Sequence, residues 1–162
     1  MVGPARREPR FVYLSDRFPE ESTDPAARYG WRLVAANNRP LGRGATVEAS
    51  WDDCLARAAA LHAALSAAPE LSTATDRIGS AIVPDALHGV WSWRVVLDGE
   101  LAAVGVHPYL RRVECARGLA QFVASAGAAD PADGVVRHFG PHSLRGYEGD
   151  ATRTDSSLGA TR

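Results

Sequence analysis

The sequence predicts an α+β fold in which two pseudo-symmetric βββα repeats share one antiparallel sheet, with both helices on one face of it. Two segments about 61 residues apart open alike, with Trp, Arg and an aliphatic pair, at residues 31–34 and 93–96. Each then runs through a turn and a second strand to an acidic residue followed by Cys54 or Cys115. One three-strand unit with a single helix cannot cover its own apolar sheet face, so we expect the two units to combine.

Length and composition are those of a globular chain. The protein has 162 residues, of which 46% are hydrophobic and 23% are charged, and its net charge is -1. This length is enough for one sizeable core, and the composition excludes a wholly disordered or fibrous protein. A global basic excess for binding nucleic acid is also excluded, which leaves only a local basic patch for that purpose.

The sequence carries no sign of export or membrane insertion. The first ten residues are charged but lack the apolar stretch of a signal peptide, and no segment reaches the run of about 18 apolar residues that a membrane span needs. Two cysteines are too few for a disulfide framework. We therefore expect a cytoplasmic protein with reduced thiols and no membrane partner.

The strands of the first half follow from hydrophobic alternation. Residues 11–14 form a short apolar run, and residues 31–35 alternate between a face with Trp31 and a face with Arg32. The pair Asn37-Asn38 tolerates positive φ and suits a hairpin turn. The chain then returns over residues 41–47.

The second half repeats this order. Residues 91–97 alternate, and Asp98-Gly99 is a strong hairpin signal, after which the partner strand covers residues 101–106. A two-residue turn places Trp93 opposite Val104 on the inner face. Further strand candidates are residues 82–83 and 135–139.

Two helices follow the hairpins. Ser50 stands before two acidic residues and predicts the start of a helix over residues 51–67, and a second helix is expected over residues 111–126. Gly118, in the middle of the second helix, costs about 0.5–1 kcal/mol relative to Ala, so we expect a close neighbour there. The apolar stripes are predicted to be Leu55, Ala58, Leu61 and Leu65 in the first helix, and Val113, Ala116, Ala120 and Val123 in the second.

The polar ends suggest the domain boundaries. We expect a mobile N-terminus over residues 1–9, one domain of two repeats over residues 10–142, and a mobile tail over residues 143–162. The boundary between the repeats is expected near residues 75 and 76.

The second half also carries a recognisable order of side chains. An aromatic-Arg-aliphatic run is followed by an Asp-Gly turn, a second strand, an aromatic residue and a helix with a small residue before Gly-Leu; these are residues 93–96, Asp98-Gly99, Tyr109 and residues 115–119. This order resembles the YegP-like family of small bacterial and archaeal proteins, which consist of tandem three-strand-plus-helix repeats. The resemblance spans roughly residues 11–140 and implies the fold, but no particular activity.

The first half departs from that family pattern at three positions. Asn38 replaces the turn glycine, and Ala58 stands in place of Leu119. No aromatic residue matches Tyr109.

Arginines form the main candidate site. Arg32 and Arg94 occupy equivalent positions and are expected to project from the sheet face opposite the helices, where Arg43, Arg111 and Arg112 could extend the positive surface. Such a surface suits a polyanion or a single-stranded nucleic acid. The alternative is an ordinary solvated sheet face with cross-strand charge pairing, which is favoured because the tryptophans alternate away from these arginines.

Catalytic and metal-binding patterns are weak. Cys54 and Cys115 fall near helix starts, where a thiol pKa can be lowered, but burial as small packing residues explains both positions and is favoured. His138 and His142 are separated by a Gly-Pro break that prevents both imidazoles from sharing one helical face. The sequence contains no phosphate-binding glycine loop, nucleophile elbow or paired catalytic carboxylates, so we expect no cofactor and no metal.

Three hypotheses remain open from the sequence. The first is a non-enzymatic binding or interaction module with a protein or polyanion partner. The second is binding of single-stranded nucleic acid or another polyanion through the Arg32 and Arg94 face. The third is an enzyme whose site is assembled from residues distant in sequence.

Overall fold

The computed structural model describes residues 8–16, 26–68 and 77–138. Within these ranges it has an α+β fold, with one seven-stranded sheet and two α-helices. The expected mobile tail and most of the expected mobile N-terminus lie outside the described residues, as does His142. The elements are β1 (Arg10–Ser15), β2 (Tyr29–Val34), β3 (Pro40–Gly44), α1 (Trp51–Ala67), β4 (Ile78–Asp85), β5 (Val90–Leu97), β6 (Glu100–Val104), α2 (Arg112–Ala128), a 3-10 turn (Pro131–Asp133) and β7 (Val135–His138).

The sheet order is β4-β5-β6-β3-β2-β1-β7, and the two halves of the chain meet where β3 pairs with β6. The prediction of a wholly antiparallel sheet is wrong, because β7 runs parallel to β1. A hairpin would force antiparallel pairing, but no hairpin joins β1 and β7, which are the first and last strands of the described chain. The chain enters β7 from α2 and the 3-10 turn, and this connection allows the parallel direction. The Tyr13 hydroxyl donates to the Pro131 carbonyl at 2.8 Å and holds that turn beside β1.

The register of β5 against β6 also differs from the prediction. The two-residue turn is present, since Leu97 pairs with Glu100 and both Asp98 and Gly99 have positive φ. A bulge between Val95 and Val96 then shifts the pairing, so that Val104 lies opposite Arg94 and not opposite Trp93. Trp93 accepts a backbone hydrogen bond from Gly105 at 3.2 Å.

Both helices begin and end close to the predicted positions. Asp53 donates its backbone N–H to the Ser50 hydroxyl at 3.1 Å, which is the expected N-cap of α1. In contrast, α2 begins after Arg111 without a side-chain cap. Neither of these described helices is long and apolar enough to cross a bilayer.

The buried stripe of each helix starts at its cysteine. In α1 the prediction is confirmed at Ala58, Leu61 and Leu65, whereas Leu55 is 40% exposed and Cys54 is buried in its place. In α2 Val123 is buried as predicted, but Val113 is 54% exposed and the rest of the stripe lies one residue away from the predicted positions. The two stripes occupy matching positions, with the same spacing from the cysteine onward. They are Cys54, Ala58, Leu61 and Leu65 in α1, and Cys115, Leu119, Phe122 and Ala126 in α2.

Both halves contribute to one core on the helix side of the sheet. Trp93 and Phe122 are fully buried and their rings lie 4.7 Å apart. A Cβ at Gly42 of β3 would come within 2.5 Å of Phe122 and 2.7 Å of Trp93, so this strand position requires glycine. Gly118 also has the close neighbour that its helix position predicted, but the neighbour is the Tyr109 ring and not the other helix.

Replacing Gly42 by Ala should destabilise the protein by about 1–3 kcal/mol, because the added methyl group overpacks two buried rings. Gly79→Ala is the matched control, since a Cβ at Gly79 in β4 would meet nothing within 4 Å. We expect the control to change the free energy of unfolding by less than about 0.5 kcal/mol. Urea unfolding of the two variants measures the difference, and equal stability would contradict this account of the core.

Candidate functional site

Three of the predicted arginines lie in one row across four neighbouring strands. Arg94 of β5 pairs with Val104 of β6, which pairs with Arg43 of β3, which pairs with Arg32 of β2. Adjacent strands are about 4.8 Å apart, so Arg43 and Arg94 are separated by about 10 Å at their Cα atoms. We call Arg32, Arg43 and Arg94 the arginine row.

The row lies on the sheet face opposite the helices, which we call the outer face. Arg94 alternates with Trp93 and Val95, and both of these side chains are buried in the core. Arg43 stands between two glycines whose Cβ positions would point at core rings. Each arginine is partly exposed.

The outer face is not polar along its whole width. Beyond Arg32, Val12, Leu14 and Val34 form a second small apolar cluster in which each residue is at most 5% exposed. The expectation of a solvated sheet face is therefore wrong at the β1 end. This cluster separates the arginines from β2 onward from Arg137 of β7, which is exposed and pairs with Leu14 on the same face.

A groove of about 800 Å³ opens beside Arg43 and Arg94. Its floor follows β5 along Arg94 and Ser92 to Val90. One wall comes from the end of β4 and the following turn, and the other comes from the loop after β6. The wall residues are Val83, Pro84, Asp85, Ala86, Leu87 and His88 on the first side, and Val104, Gly105, Val106, His107 and Pro108 on the second.

Charge is unevenly distributed in this groove. The two arginines lie at one end, and Asp85 lies at the other end with the His88 ring nitrogen 2.8 Å from its carboxylate. The hydrogen bond from His88 lowers the pKa of Asp85, so this carboxyl group stays ionised at neutral pH. The groove therefore has a cationic end and an end where a fixed negative charge is already present.

Trp93 has an unusual polar atom in the core on the helix side of the sheet. Its indole N–H is buried and has no hydrogen-bond partner within the described residues. A Cβ at Gly105 would lie 3.0 Å from this nitrogen, so the glycine leaves room for the indole edge. In the first half, a Cβ at Gly44 would lie 2.7 Å from the corresponding nitrogen of Trp31.

The remaining predicted arginines do not join the row. Arg111 and Arg112 lie at the start of α2 and are exposed, and neither lines the groove. They follow β6 closely in the sequence, but the chain has already left the sheet for α2 at this point.

The cysteines are packing residues in this structure. Cys54 and Cys115 are free and fully buried. Burial and, to a smaller extent, the negative charge of Glu48 raise the pKa of Cys54 to about 12. Burial also raises the pKa of Cys115, against a smaller lowering by Arg112. Neither thiol is activated as a nucleophile.

In the described ranges, no three His, Cys, Asp or Glu side chains come together in a way that could hold a metal ion. Among the histidines that the structure describes, His88 and His107 line the groove, on opposite walls. Local sequence patterns do not predict this arrangement, because the walls come from loops more than ten residues apart. The Asp85-x-x-His88 spacing is the one short pattern that could have indicated it.

Comparison with known proteins identifies the fold and not the activity. The chain matches no protein-family model and no curated protein. Its structure is similar to the solution NMR structure of yegP from E. coli, a protein of unknown function, with a TM-score of 0.53. The match covers 81% of this chain and 92% of that chain, at 11% sequence identity. The chain therefore has a YegP-like fold, and nothing about activity follows from the likeness.

Thiol chemistry tests the assignment of the cysteines. An unfolded cysteine has a pKa of about 8.5, so raised pKa values leave very little thiolate in the folded protein at about pH 8. We expect the native protein to react with a disulfide reagent such as DTNB at least a hundredfold more slowly than the urea-unfolded protein. Rapid modification of either cysteine in the native state would restore the nucleophile hypothesis.

Proposed function

We propose that the chain is a non-enzymatic binding module that holds an anionic ligand against its outer sheet face. The observation that carries this proposal is the arginine row, in which three arginines from three strands share one register line and two of them, Arg43 and Arg94, line a groove. Guanidinium groups bind phosphate and carboxylate through paired hydrogen bonds. Placement on three rigid strands favours a preorganised site.

Contacts to charge are better supported than stacking on bases. Proteins that bind single strands place aromatic rings on the binding face. Here Phe11, Tyr13, Trp31 and Trp93 are all in the core on the helix side. A polyanion would therefore be held through its phosphates or carboxylates, with little discrimination between bases.

An enzymatic role has less support. The groove brings together Asp85, His88, Ser92 and His107, but His88 holds Asp85 as a carboxylate, which opposes a role as general acid. The buried thiols are not activated. We therefore favour the binding module over the enzyme.

We also propose that the two halves are tandem repeats of a YegP-like unit. Three pairs of features at matching positions support this: the helix stripes, the glycines beside Trp31 and Trp93, and two isolated antiparallel bridges. The bridges join Tyr29 to Glu48 and Trp91 to Tyr109. Where the second half packs Tyr109 on Gly118, the first half has an ion pair of 2.7 Å between Glu48 and Arg57. Free, buried cysteines suit our further proposal of a cytoplasmic location.

Replacing both Arg32 and Arg94 by Ser tests the proposed function. We expect the wild type to bind a fluorescent oligothymidine at low salt, with an affinity that falls as salt rises because counterions are released. The double variant should bind more weakly, and its salt slope should be smaller by roughly 0.7 for each phosphate that it no longer neutralises. Fluorescence anisotropy over a salt series measures both quantities.

The matched control is the Arg111→Ser/Arg112→Ser double variant, which removes the same charge from exposed positions outside the groove. It should retain wild-type affinity, and both double variants should keep their stability to within about 0.5 kcal/mol for each substitution. Absence of wild-type binding at low salt would end the polyanion hypothesis. Equal losses of affinity in the two double variants would show that net charge matters and the row does not.

A further inference from the structure

We propose that the groove binds an amphiphilic anion, a small molecule with one anionic head and an apolar body. The inference rests on the proposed function, because the head would be held by two arginines of the row. It goes further by assigning the chemical class of the ligand and its direction in the groove.

The groove runs along a strand, whereas the arginine row runs across strands. Arg94, Ser92 and Val90 follow one another on the outer face of β5 and line the groove. With a rise of about 3.3 Å per residue, the path from Arg94 to Val90 is about 13 Å long. A ligand lying in the groove therefore meets the row only at one of its ends.

The head of the ligand is fixed by the cationic end. Arg43 and Arg94 stand on either side of Val104 and both line the groove, while Arg32 does not. A carboxylate, sulfonate or phosphate monoester between them could accept hydrogen bonds from both side chains.

The body of the ligand is defined by the middle of the groove. Ser92 is paired with Val83, and the walls beyond it are largely aliphatic. The Leu87 side chain lines the groove and is 85% exposed. A ligand in the groove would cover part of this apolar surface. The aliphatic groove residues are Val83, Pro84, Ala86, Leu87, Val90, Val104, Val106 and Pro108.

The far end argues against a second negative charge. Asp85 lies there and stays ionised because of its contact with His88. A second anionic group on the ligand would be repelled by this carboxylate, so a polyanion does not suit the length of the groove. The volume of about 800 Å³ falls within the usual range for small-molecule sites, about 300–1,000 Å³.

The test is an NMR titration of the 15N-labelled full chain with decanoate, decanol and acetate at constant salt, below micelle-forming concentrations. Decanoate has both features of the proposed ligand, decanol lacks the charge, and acetate lacks the apolar body. We expect decanoate to shift the amide signals of Ser92 and Gly105, and to bind at least tenfold more tightly than either decanol or acetate.

Two variants separate the two ends of the ligand. Arg43→Ser/Arg94→Ser should weaken decanoate binding about tenfold or more and leave decanol binding unchanged, since it removes only the charged contacts. Leu87→Ser/Val106→Ser should weaken the binding of decanoate and decanol alike and leave that of acetate unchanged. Arg111→Ser/Arg112→Ser is the control and should bind decanoate as the wild type does.

Each other outcome would overturn the inference. If acetate bound as tightly as decanoate, the protein would be an anion-binding module without a site for an apolar body. The same conclusion would follow if an oligonucleotide bound to the arginine row and Leu87→Ser/Val106→Ser did not weaken decanoate binding. Decanol binding as tightly as decanoate would exclude a role for the head. If Arg43→Ser/Arg94→Ser changed the binding of no anion, the proposed function and this inference would both fail. Binding only to phosphatidylglycerol vesicles would assign the surface to a membrane.

Discussion

The packing of Trp93 against Phe122, above the bare backbone of Gly42, is the contact on which the arrangement depends. It joins β5 and α2 of the second half to β3 of the first half at the centre of the sheet. Because Gly42 and Gly44 of β3 and the alternate side chains of β5 face this core, the residues between them must point to the outer face. Arg43 and Arg94 are two of them, so the same interaction that closes the core also places cations on the opposite surface.

The β3–β6 junction converts this alternation into a site. Arg43 and Arg94 belong to different halves of the chain and come into one line only because Val104 pairs with both. The bulge between Val95 and Val96 sets that pairing. Without the bulge, the end of β6 would slip by one residue against β5, so that Val104 would pair with Trp93, and the side chains of that end would exchange faces. A local irregularity in one hairpin thus determines the chemistry of the outer face.

A groove with a cationic end, largely aliphatic walls and a carboxylate at the far end differs in its charge pattern from a surface that binds a polyanion. Net charge does not distinguish the two, because the whole chain is nearly neutral. The distribution of charge distinguishes them: across the strands the row presents only positive charge, whereas along β5 the groove runs from positive charge at Arg94 to negative charge at Asp85. The small apolar cluster of Val12, Leu14 and Val34 interrupts the cationic surface between Arg32 and Arg137, which makes a continuous electrostatic surface less suitable.

The local sequence pattern determined the side-chain faces of the central strands, one turn and the start of one helix. Alternation around Trp31 and Trp93 assigned each side chain to a face, Asp98-Gly99 specified a two-residue turn, and Ser50 marked the start of α1. These features depend on neighbours within a few residues, so the sequence alone contains them. Tertiary structure decided the parallel pairing of β7, the contact of Tyr109 with Gly118, and the groove between two separate loops. Each of these depends on how separate segments pack together: β7 on β1, the chain after β6 on α2, and two loops on either side of β5. Periodicity within one segment does not encode such packing.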